Sequence, residues 1–361
     1  MNDLPYWVAL NEFQKFGAAR FKKLLNFFPD CQEVWQADLS LLLQAGLEQN
    51  LAEEFVGWRG GVEPDKEYEA LAKEKVEVIT IKDAVYPHLL KEIYDPPPVL
   101  YYKGVLPADD FNLAVVGTRK ISAYGRQAAE TIVAPLARAG LTIVSGMALG
   151  IDAAVHEITL REKGKTVAVL GCGLAQECLY PAVHRQLAAR IAANGCLMSE
   201  YPLFTQPLQY HFPFRNRIIS GLSLGTLVVE ATEDSGSLIT AKHALEQNRE
   251  LFAVPGDIFK EGALGPNNLL KMGARVVTCA DDVLEALNLK DLKTHLEVRE
   301  IIPDTPTEAK ILDFLKDEPM HIDELIAVTG LKTSLTASTL TLMEMKGMVR
   351  HIGGMQYVLA R

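Results

Sequence analysis

The stretch LAVVGTR at residues 113–119 is a continuous apolar run that ends on a glycine turn. Similar runs recur along the chain and alternate with helical segments; they lie at residues 141–144, 166–170, 226–229 and 251–254, with a last short run at 275–278. Because the main runs are apolar at both odd and even positions, each predicted strand is buried on both faces, as in a parallel sheet covered by helices. The alternation predicts an α/β fold with a doubly wound, mostly parallel sheet over residues 99–289.

The segments on either side of this domain have a different character. The predicted boundaries are a small helical domain at 1–62, a connector with one strand-like stretch at 63–98, a polar linker at 290–306 and a C-terminal domain at 307–361. The C-terminal domain combines short helices with a closing hairpin, and this combination suggests a winged helix. Its helices are expected near 307–316, 322–329 and 333–346, and its hairpin turn at Gly353-Gly354.

The composition is that of an ordinary globular protein. The 361 residues are 48% hydrophobic and 23% charged, which excludes disordered, collagen-like and disulfide-scaffold classes. At about 150 residues per domain, the length predicts two to three domains. The formal net charge of -10 argues, taken over the whole chain, against a partner as negative as nucleic acid.

The cysteines and the apolar runs bear on the compartment. The five cysteines are scattered without CxxC spacing, so we expect buried reduced thiols and neither a disulfide framework nor a metal site. The first residues have no basic segment followed by an apolar stretch, and no apolar run reaches the roughly 18 residues that span a bilayer. The sequence therefore predicts a cytoplasmic protein that is not inserted in a membrane.

Glycine-rich turns follow four of the predicted strands, at residues 117–119, 145–150, 171–173 and 235–237. In a parallel sheet these turns lie at the same edge, which is where ligands bind in open α/β folds. Small residues let backbone N–H groups approach a ligand, and helix N-termini add partial positive charge. The four turns together predict an anion-binding edge.

Two enzymatic interpretations fit the residues less well. The stretch GCGLAQ at 171–176 has only two of the three glycines of a dinucleotide fingerprint, and no acidic residue follows at the usual spacing, so no cofactor is expected. Ser145 lies in Val-Ser-Gly rather than in G-x-S-x-G, and no acid-then-histidine order follows it. No catalytic constellation is predicted.

The local charge differs from the sum over the chain. Residues 111–129 carry Arg119, Lys120 and Arg126 without an acidic residue, and residues 201–229 carry two arginines and again no acid. In the second segment, Tyr210, Phe212 and Phe214 come next to the arginines. Aromatic rings beside arginine suit base stacking and phosphate neutralisation in single-stranded nucleic acid.

Five motifs in order resemble the DNA processing protein DprA (Smf) family. They are VVGTR at 115–119, SGMALGID at 145–152, FPFRNRIISG at 212–221, GSLITAK at 236–242 and VPG at 254–256. The resemblance implies a Rossmann-like domain, flanked by an N-terminal module of the helix-hairpin-helix or sterile-alpha-motif type and a C-terminal winged helix. It implies a non-catalytic protein that binds single-stranded DNA, protects it during natural transformation, loads the RecA recombinase and dimerises through the Rossmann-like domain.

Roles follow from the resemblance at the matching positions. The resemblance implies phosphate contacts by arginine and lysine, donors from backbone or hydroxyl groups, one base contact and one polar pocket residue. The implied phosphate contacts are Arg119, Arg215, Arg217 and Lys242, and the implied donors are Gly146, Ser235, Gly236 and Ser237. Phe212 is the implied base contact and Glu230 the implied polar pocket residue, while Gly117 and Ser145 complete the candidate DNA site.

Some alternatives stay open at this point. A Rossmann-like nucleotide-binding hydrolase of a related family is the main rival, and duplex DNA is a further candidate partner. The expected recognition helix of the winged helix, at 333–346, carries only Lys346 as a basic group. A protein-interaction role for that domain is therefore as well supported as DNA reading.

Overall fold

A computed structural model describes residues 3–107, 111–289, 305–315, 320–346, 348–353 and 355–359. Contacts divide the chain into two compact units, Met1–His295 and Leu296–Arg361. Most of the predicted linker, 290–304, lies outside the described residues, as does Gly354 of the predicted hairpin turn. The finer domain boundaries stay a prediction.

The first unit is built on a sheet of nine strands within the described residues, in the order β1-β2-β6-β5-β4-β3-β7-β8-β9. The strands are β1 Glu77–Thr80, β2 Val99–Gly104, β3 Asn112–Val116, β4 Thr142–Ser145, β5 Thr166–Val169, β6 Cys196–Ser199, β7 Gly225–Val228, β8 Glu250–Ala253 and β9 Arg275–Val276. Strands β3 to β9 are parallel, whereas β2 is antiparallel to both β1 and β6. The prediction of an α/β fold with a mostly parallel sheet is confirmed.

Helices lie before, between and after the strands. They are α6 Pro64–Lys73, α7 His88–Lys91, α8 Ala123–Arg138, α9 Ile151–Arg161, α10 Arg185–Asn194, α11 His211–Gly221, α12 Ser237–Glu246, α13 Glu261–Lys271 and α14 Ala280–Ala286. From β3 the chain adds strands on one side as far as β6, and β7 then returns to the other side of β3. The strand order therefore reverses between β3 and β7, and the crevice at such a reversal is the usual ligand site.

The N-terminal helices pack against the sheet. They are α1 Leu4–Glu12, α2 Ala18–Phe27, α3 Cys31–Gln36, α4 Leu39–Gln44 and α5 Gln49–Arg59. Their aromatic core joins Phe13, Phe16 and Phe55, and it is continuous with buried residues of the sheet domain, Tyr101 among them. The amide of Asn11 donates to the Tyr101 hydroxyl at 3.2 Å. These helices therefore belong to the same compact unit as the sheet.

The second unit has the predicted winged-helix arrangement. Its described elements are α15 Pro306–Leu315, β10 Met320–His321, α16 Ile322–Thr329, α17 Thr333–Met345, β11 Val349–Gly353 and β12 Gln356–Leu359. The strands pair in the order β10-β12-β11. A core of aliphatic side chains that includes Leu312, Leu325 and Leu340 holds the helices together.

Two further expectations can be compared with the described residues. Four cysteines are buried as expected, whereas Cys279 is exposed at the start of α14. No single helix in the described ranges is long and apolar enough to cross a membrane, although Ile322–Thr329 and Thr333–Glu344, bent by 117°, pass that test as a pair on length and composition.

Candidate nucleic-acid interface

Arg215 joins two strand ends at the carboxyl edge of the sheet. Its side chain projects from α11 and is 4% exposed. The Nη1 group donates to the carbonyl oxygen of Gly146 at 2.8 Å and also to that of Val169, while Nε donates to Asn216 Oδ1 at 3.2 Å. The guanidinium is thus fixed between the ends of β4 and β5, where its charge faces the crevice.

The turn after β4 is shaped around this guanidinium. A Cβ atom on Gly146 would lie 2.6 Å from Arg215 Nη1, so no larger residue fits there without moving the arginine. The N–H of Gly146 donates to Asp152 Oδ2 at 3.2 Å, on the first turn of α9. Burial raises the pKa of Asp152, and the charge of Arg215 opposes that rise. Gly146 was expected to offer its N–H to a ligand, but Asp152 already accepts that hydrogen.

A small pocket opens above this arginine. It is lined by charged, aromatic and small side chains: Arg119, Gly146, Ala148, Leu149, Tyr180, Pro181, Phe212 and Arg215. The Phe212 ring lies under both guanidinium groups, with its centroid 5.9 Å from Arg119 Cζ and 6.0 Å from Arg215 Cζ. Its centroid is 5.6 Å from that of Tyr180, which is 47% exposed. The structure therefore brings Arg119, Phe212 and Arg215 together as predicted from their positions.

Arg119 supplies the accessible charge of this pocket. It is exposed, and no ion pair joins it to another residue in the described ranges. A guanidinium that is solvated and unpaired can bind a phosphate without first leaving a carboxylate. Arg119 is for this reason the strongest phosphate-binding candidate at the edge.

Arg217 is placed differently from the prediction. Its Nη2 donates to Glu200 Oε2 at 2.6 Å, and its Nε lies 2.9 Å from Asp95 Oδ2. The side chain is only 10% exposed, and Arg217 does not line the pocket. The two carboxylates neutralise the guanidinium, so the structure gives Arg217 a role in packing rather than a free charge for a phosphate.

The turn after β7 is open at Gly236, whereas Ser237 in the same turn is buried. A Cβ atom on Gly236 would meet nothing within 4 Å. The Ser235 and Ser237 hydroxyls lie 2.7 Å apart, and Asn216 Nδ2 donates to the Gly236 carbonyl at 3.2 Å. Asn216 therefore connects this turn, at the start of α12, to Arg215. Lys242 is farther along α12, where its side chain is 76% exposed and lies 3.8 Å from Glu246.

The remaining predicted residues are built into the fold. Ser145 is fully buried and its hydroxyl donates to the Val115 carbonyl at 2.7 Å. A Cβ atom on Gly117 would lie 2.8 Å from the Glu230 carbonyl. The Glu230 carboxylate accepts the Ser122 N–H at 3.0 Å before α8, and it packs against Gly125 of α8 and Gly262 of α13. Glu230 thus holds Ser122, whose own hydroxyl caps α8 by accepting the Gly125 N–H at 3.0 Å. Glu230 lies outside the pocket lining, so the polar pocket role predicted for it is not what the structure gives it.

Sequence reasoning missed several residues of the site. Tyr180 and Leu149 line the pocket, and Asp152 and Asn216 hold its turns in place. Asp152 and Asn216 were within the quoted motifs, so their polar side chains beside glycine turns were a usable signal. Tyr180 had no such signal, because it lies in the segment between β5 and α10 and only folding brings its ring next to that of Phe212.

Two family models match the chain. The model for DNA recombination-mediator protein A covers residues 77–288, and the model for the DprA winged helix domain covers residues 297–355. Protein Smf of Synechocystis is 34% identical over 394 residues, which cover 99% of this chain and 98% of that protein. DNA processing protein DprA of Bacillus subtilis is 44% identical over 220 residues, 60% of this chain and 73% of that protein.

Solved structures agree with these matches. The X-ray structure of DNA processing protein A from Streptococcus pneumoniae has a TM-score of 0.64 at 33% identity, and covers 79% of this chain and 98% of that one. A structure from Helicobacter pylori, described for the unique single-stranded DNA binding mode of its DNA processing protein A, has a TM-score of 0.53 at 30% identity and covers 60% and 98%. The chain therefore belongs to the DprA (Smf) family of recombination mediators.

Proposed function

We propose that the chain binds single-stranded DNA at the carboxyl edge of its sheet, without reading sequence and without catalysis. The observation that carries this proposal is the pocket in which the exposed Arg119 and the fixed Arg215 both lie about 6 Å from the centre of the Phe212 ring. The Helicobacter pylori relative, whose structure was described for its single-stranded DNA binding mode, supports the choice of ligand.

The site would act through position and charge. Arg119 neutralises a phosphate, and the turn at the start of α12, which is open at Gly236, presents the Gly236 backbone and one serine hydroxyl to the next part of the strand. The Ser237 N–H already donates to Ser235 Oγ within this turn. The rings of Phe212 and Tyr180 offer faces on which bases stack, a contact that every base can make. Release of condensed counterions from the DNA supplies much of the affinity.

The test is fluorescence anisotropy of an unstructured oligonucleotide across a salt series. We expect Arg119→Ala to weaken binding to all sequences alike and to lower the slope of log K against log[salt] by about 0.7 to 1, the value for one phosphate contact. The matched control is Arg138→Ala, which removes the same charge at the last residue of α8, where Arg138 pairs with Glu162 at 2.7 Å. Equal slopes in wild type, Arg119→Ala and Arg138→Ala would contradict the proposed site.

A mononucleotide hydrolysis assay on the same preparations addresses the rival function. Salt-sensitive DNA binding without turnover supports a binding protein, whereas turnover that Arg119→Ala abolishes supports a nucleotide hydrolase. Repeating the titration with duplex DNA tells whether the edge also accepts a double strand.

The biological role that we propose rests on the family. In this role the protein protects incoming single strands during natural transformation and loads the RecA recombinase onto them, as a homodimer formed through the Rossmann-like domain. Nuclease protection of a bound oligonucleotide, RecA filament assembly with and without the protein, and sedimentation of the free protein test these three parts separately. Each part fails on its own if its assay gives no effect while DNA binding persists.

A further inference from the structure

Two apolar side chains are largely exposed to solvent beyond the pocket, on the loop between β8 and α13. Phe259 is 87% exposed and Ile258 is 72% exposed. Tyr124, on the first turn of α8, is 50% exposed beside them, and its ring lies 3.9 Å from the position of a Cβ atom on Gly256. We call Tyr124, Ile258 and Phe259 the β8 ledge.

The loop that carries the β8 ledge is held by its own hydrogen bonds. Asp257 Oδ1 accepts the Phe259 N–H at 3.0 Å, and the Asn267 amide bonds both the N–H and the carbonyl of Gly256, at 3.2 and 3.0 Å. The Tyr124 hydroxyl donates to the Pro255 carbonyl. A loop braced in this way keeps two apolar side chains in water at a fixed place, which is the usual property of a binding loop.

The β8 ledge continues the DNA-binding edge. Strands β3, β7 and β8 are neighbours, so the end of β8 lies about 10 Å from the end of β3, two strand spacings away. The Glu230 carboxylate contacts the first turns of both α8 and α13, which places the two helix starts side by side. Arg119 and Tyr124 both belong to the acid-free segment 111–129, so one basic stretch leads from the pocket to the ledge.

We infer that the β8 ledge is a second base-stacking site, which takes nucleotides of the same single strand after it has passed the Ser235-Gly236-Ser237 turn. This inference rests on the proposed function. The Phe259 and Tyr124 rings accept any base by stacking. Lys120 and Lys260 are both exposed and lie close in sequence to the ledge, where they serve as phosphate partners. Glu261 is also exposed there, and the Asp257 carboxylate accepts a hydrogen bond from the backbone of its own loop.

The inference is tested by anisotropy with two oligothymidylates, of about 4 and about 16 nucleotides, the limits of the site sizes usual for single-strand-binding modules. Phe259→Ala should weaken binding of the long oligonucleotide by about 5- to 10-fold, the lower part of the range for one stacked base, and leave the short one unchanged. Phe259→Trp should keep the affinity, and its emission should be quenched when the long oligonucleotide binds. Phe111→Ala, at the opposite end of β3 and 38% exposed, is the matched control.

The outcomes separate this inference from the proposed function. If wild type binds neither oligonucleotide, the proposed function fails. If wild type binds both and Phe259→Ala binds both equally well, the function stands and the second stacking site is overturned. A change in sedimentation of Phe259→Ala without a change in affinity would assign the ledge to a contact between proteins, and it would equally overturn the inference.

Discussion

Arg215 and Arg217 lie two residues apart on α11, and both are buried, yet their surroundings differ. At about 100° per residue, two positions along a helix point to nearly opposite faces. One face places Arg215 against backbone carbonyls at the floor of a pocket, whereas the other places Arg217 between Glu200 and Asp95. Carbonyl oxygens orient a guanidinium without cancelling its charge, but two carboxylates cancel it.

The difference teaches that the partners of a basic residue in a binding motif decide whether its charge is free for a ligand. Arg215 keeps its positive charge toward the pocket, because its hydrogen-bond partners are two backbone carbonyls and the amide oxygen of Asn216, which carry no net charge. Arg217 stabilises the side of the domain where the connector before β2 meets α11, through Asp95. Three substitutions would break or sharpen this comparison.

The largest expected effect is on stability, for Arg217→Met. The variant leaves Glu200 buried without its counter-charge, and removing one partner of a buried ion pair costs about 3–5 kcal/mol. Urea unfolding followed by circular dichroism measures the change. The double variant Arg217→Met with Glu200→Met should recover most of the loss, because no buried charge then stays unpaired. If Arg217→Met alone were as stable as wild type, the ion pair between Arg217 and Glu200 would not stabilise the fold.

The second expected effect is that of Gly146→Ala, which acts on the Arg215 side. The new methyl group would lie 2.6 Å from the Arg215 guanidinium and force it away from its carbonyl partners, at a cost of about 1–3 kcal/mol in unfolding free energy together with weaker DNA binding. Gly57→Ala is the matched control, because Gly57 lies within α5, outside the candidate site, and its methyl group meets nothing within 4 Å. Equal stability and affinity in the two variants would contradict the placement of Arg215.

The smallest expected effect concerns Glu12, a half-buried carboxyl whose charged neighbour is another acid, Glu67, instead of a cation. Burial and the charge of Glu67 raise the pKa of Glu12 from 4.5 to about 7. A raised folded-state pKa means that its favourable contribution is full below pH 4.5 and is lost as the pH rises through 7. Glu12→Gln should therefore be about 1 kcal/mol more stable than wild type at pH 8, a value reduced for partial solvent screening, and equally stable at pH 4.5. Thermal unfolding at the two pH values measures it, and a difference that does not change with pH would refute the shift.

The strands of the sheet were largely predictable, and the exceptions have a physical reason. The runs at 113–116, 141–144, 166–170, 226–229 and 251–254 each correspond to a strand within one residue or so at either end. Strands β2 and β6 were missed. β6 is the four-residue segment Cys196–Ser199 with Met198 and Leu197 at its centre, which periodicity cannot tell from helix. β2 is antiparallel to its neighbours, and the repeating strand–helix pattern predicts only parallel strands.

The site was predictable as a place but not residue by residue. The glycine turns predicted the edge at which the pocket lies, because a parallel sheet gathers its strand ends there. The glycines of these turns were predicted to let a ligand approach. Gly117 and Gly146 are instead small because other parts of the protein pack against them. Arg215 and Arg217 are indistinguishable in sequence, since their partners come from distant segments. Phe214, one of the three aromatic residues beside the arginines in the second acid-free segment, is 62% exposed.

Glu230 has a consequence for how the domain opens. One carboxylate contacts the first turns of α8 and α13, two helices that are distant in sequence. If either helix frays at its start, the other loses part of its support, so the amide hydrogens of both first turns should exchange with solvent as one cooperative unit. The basic turn after β3 and the loop after β8 lead into those helices, and a single buried side chain thereby keeps both ends of the proposed binding edge ordered.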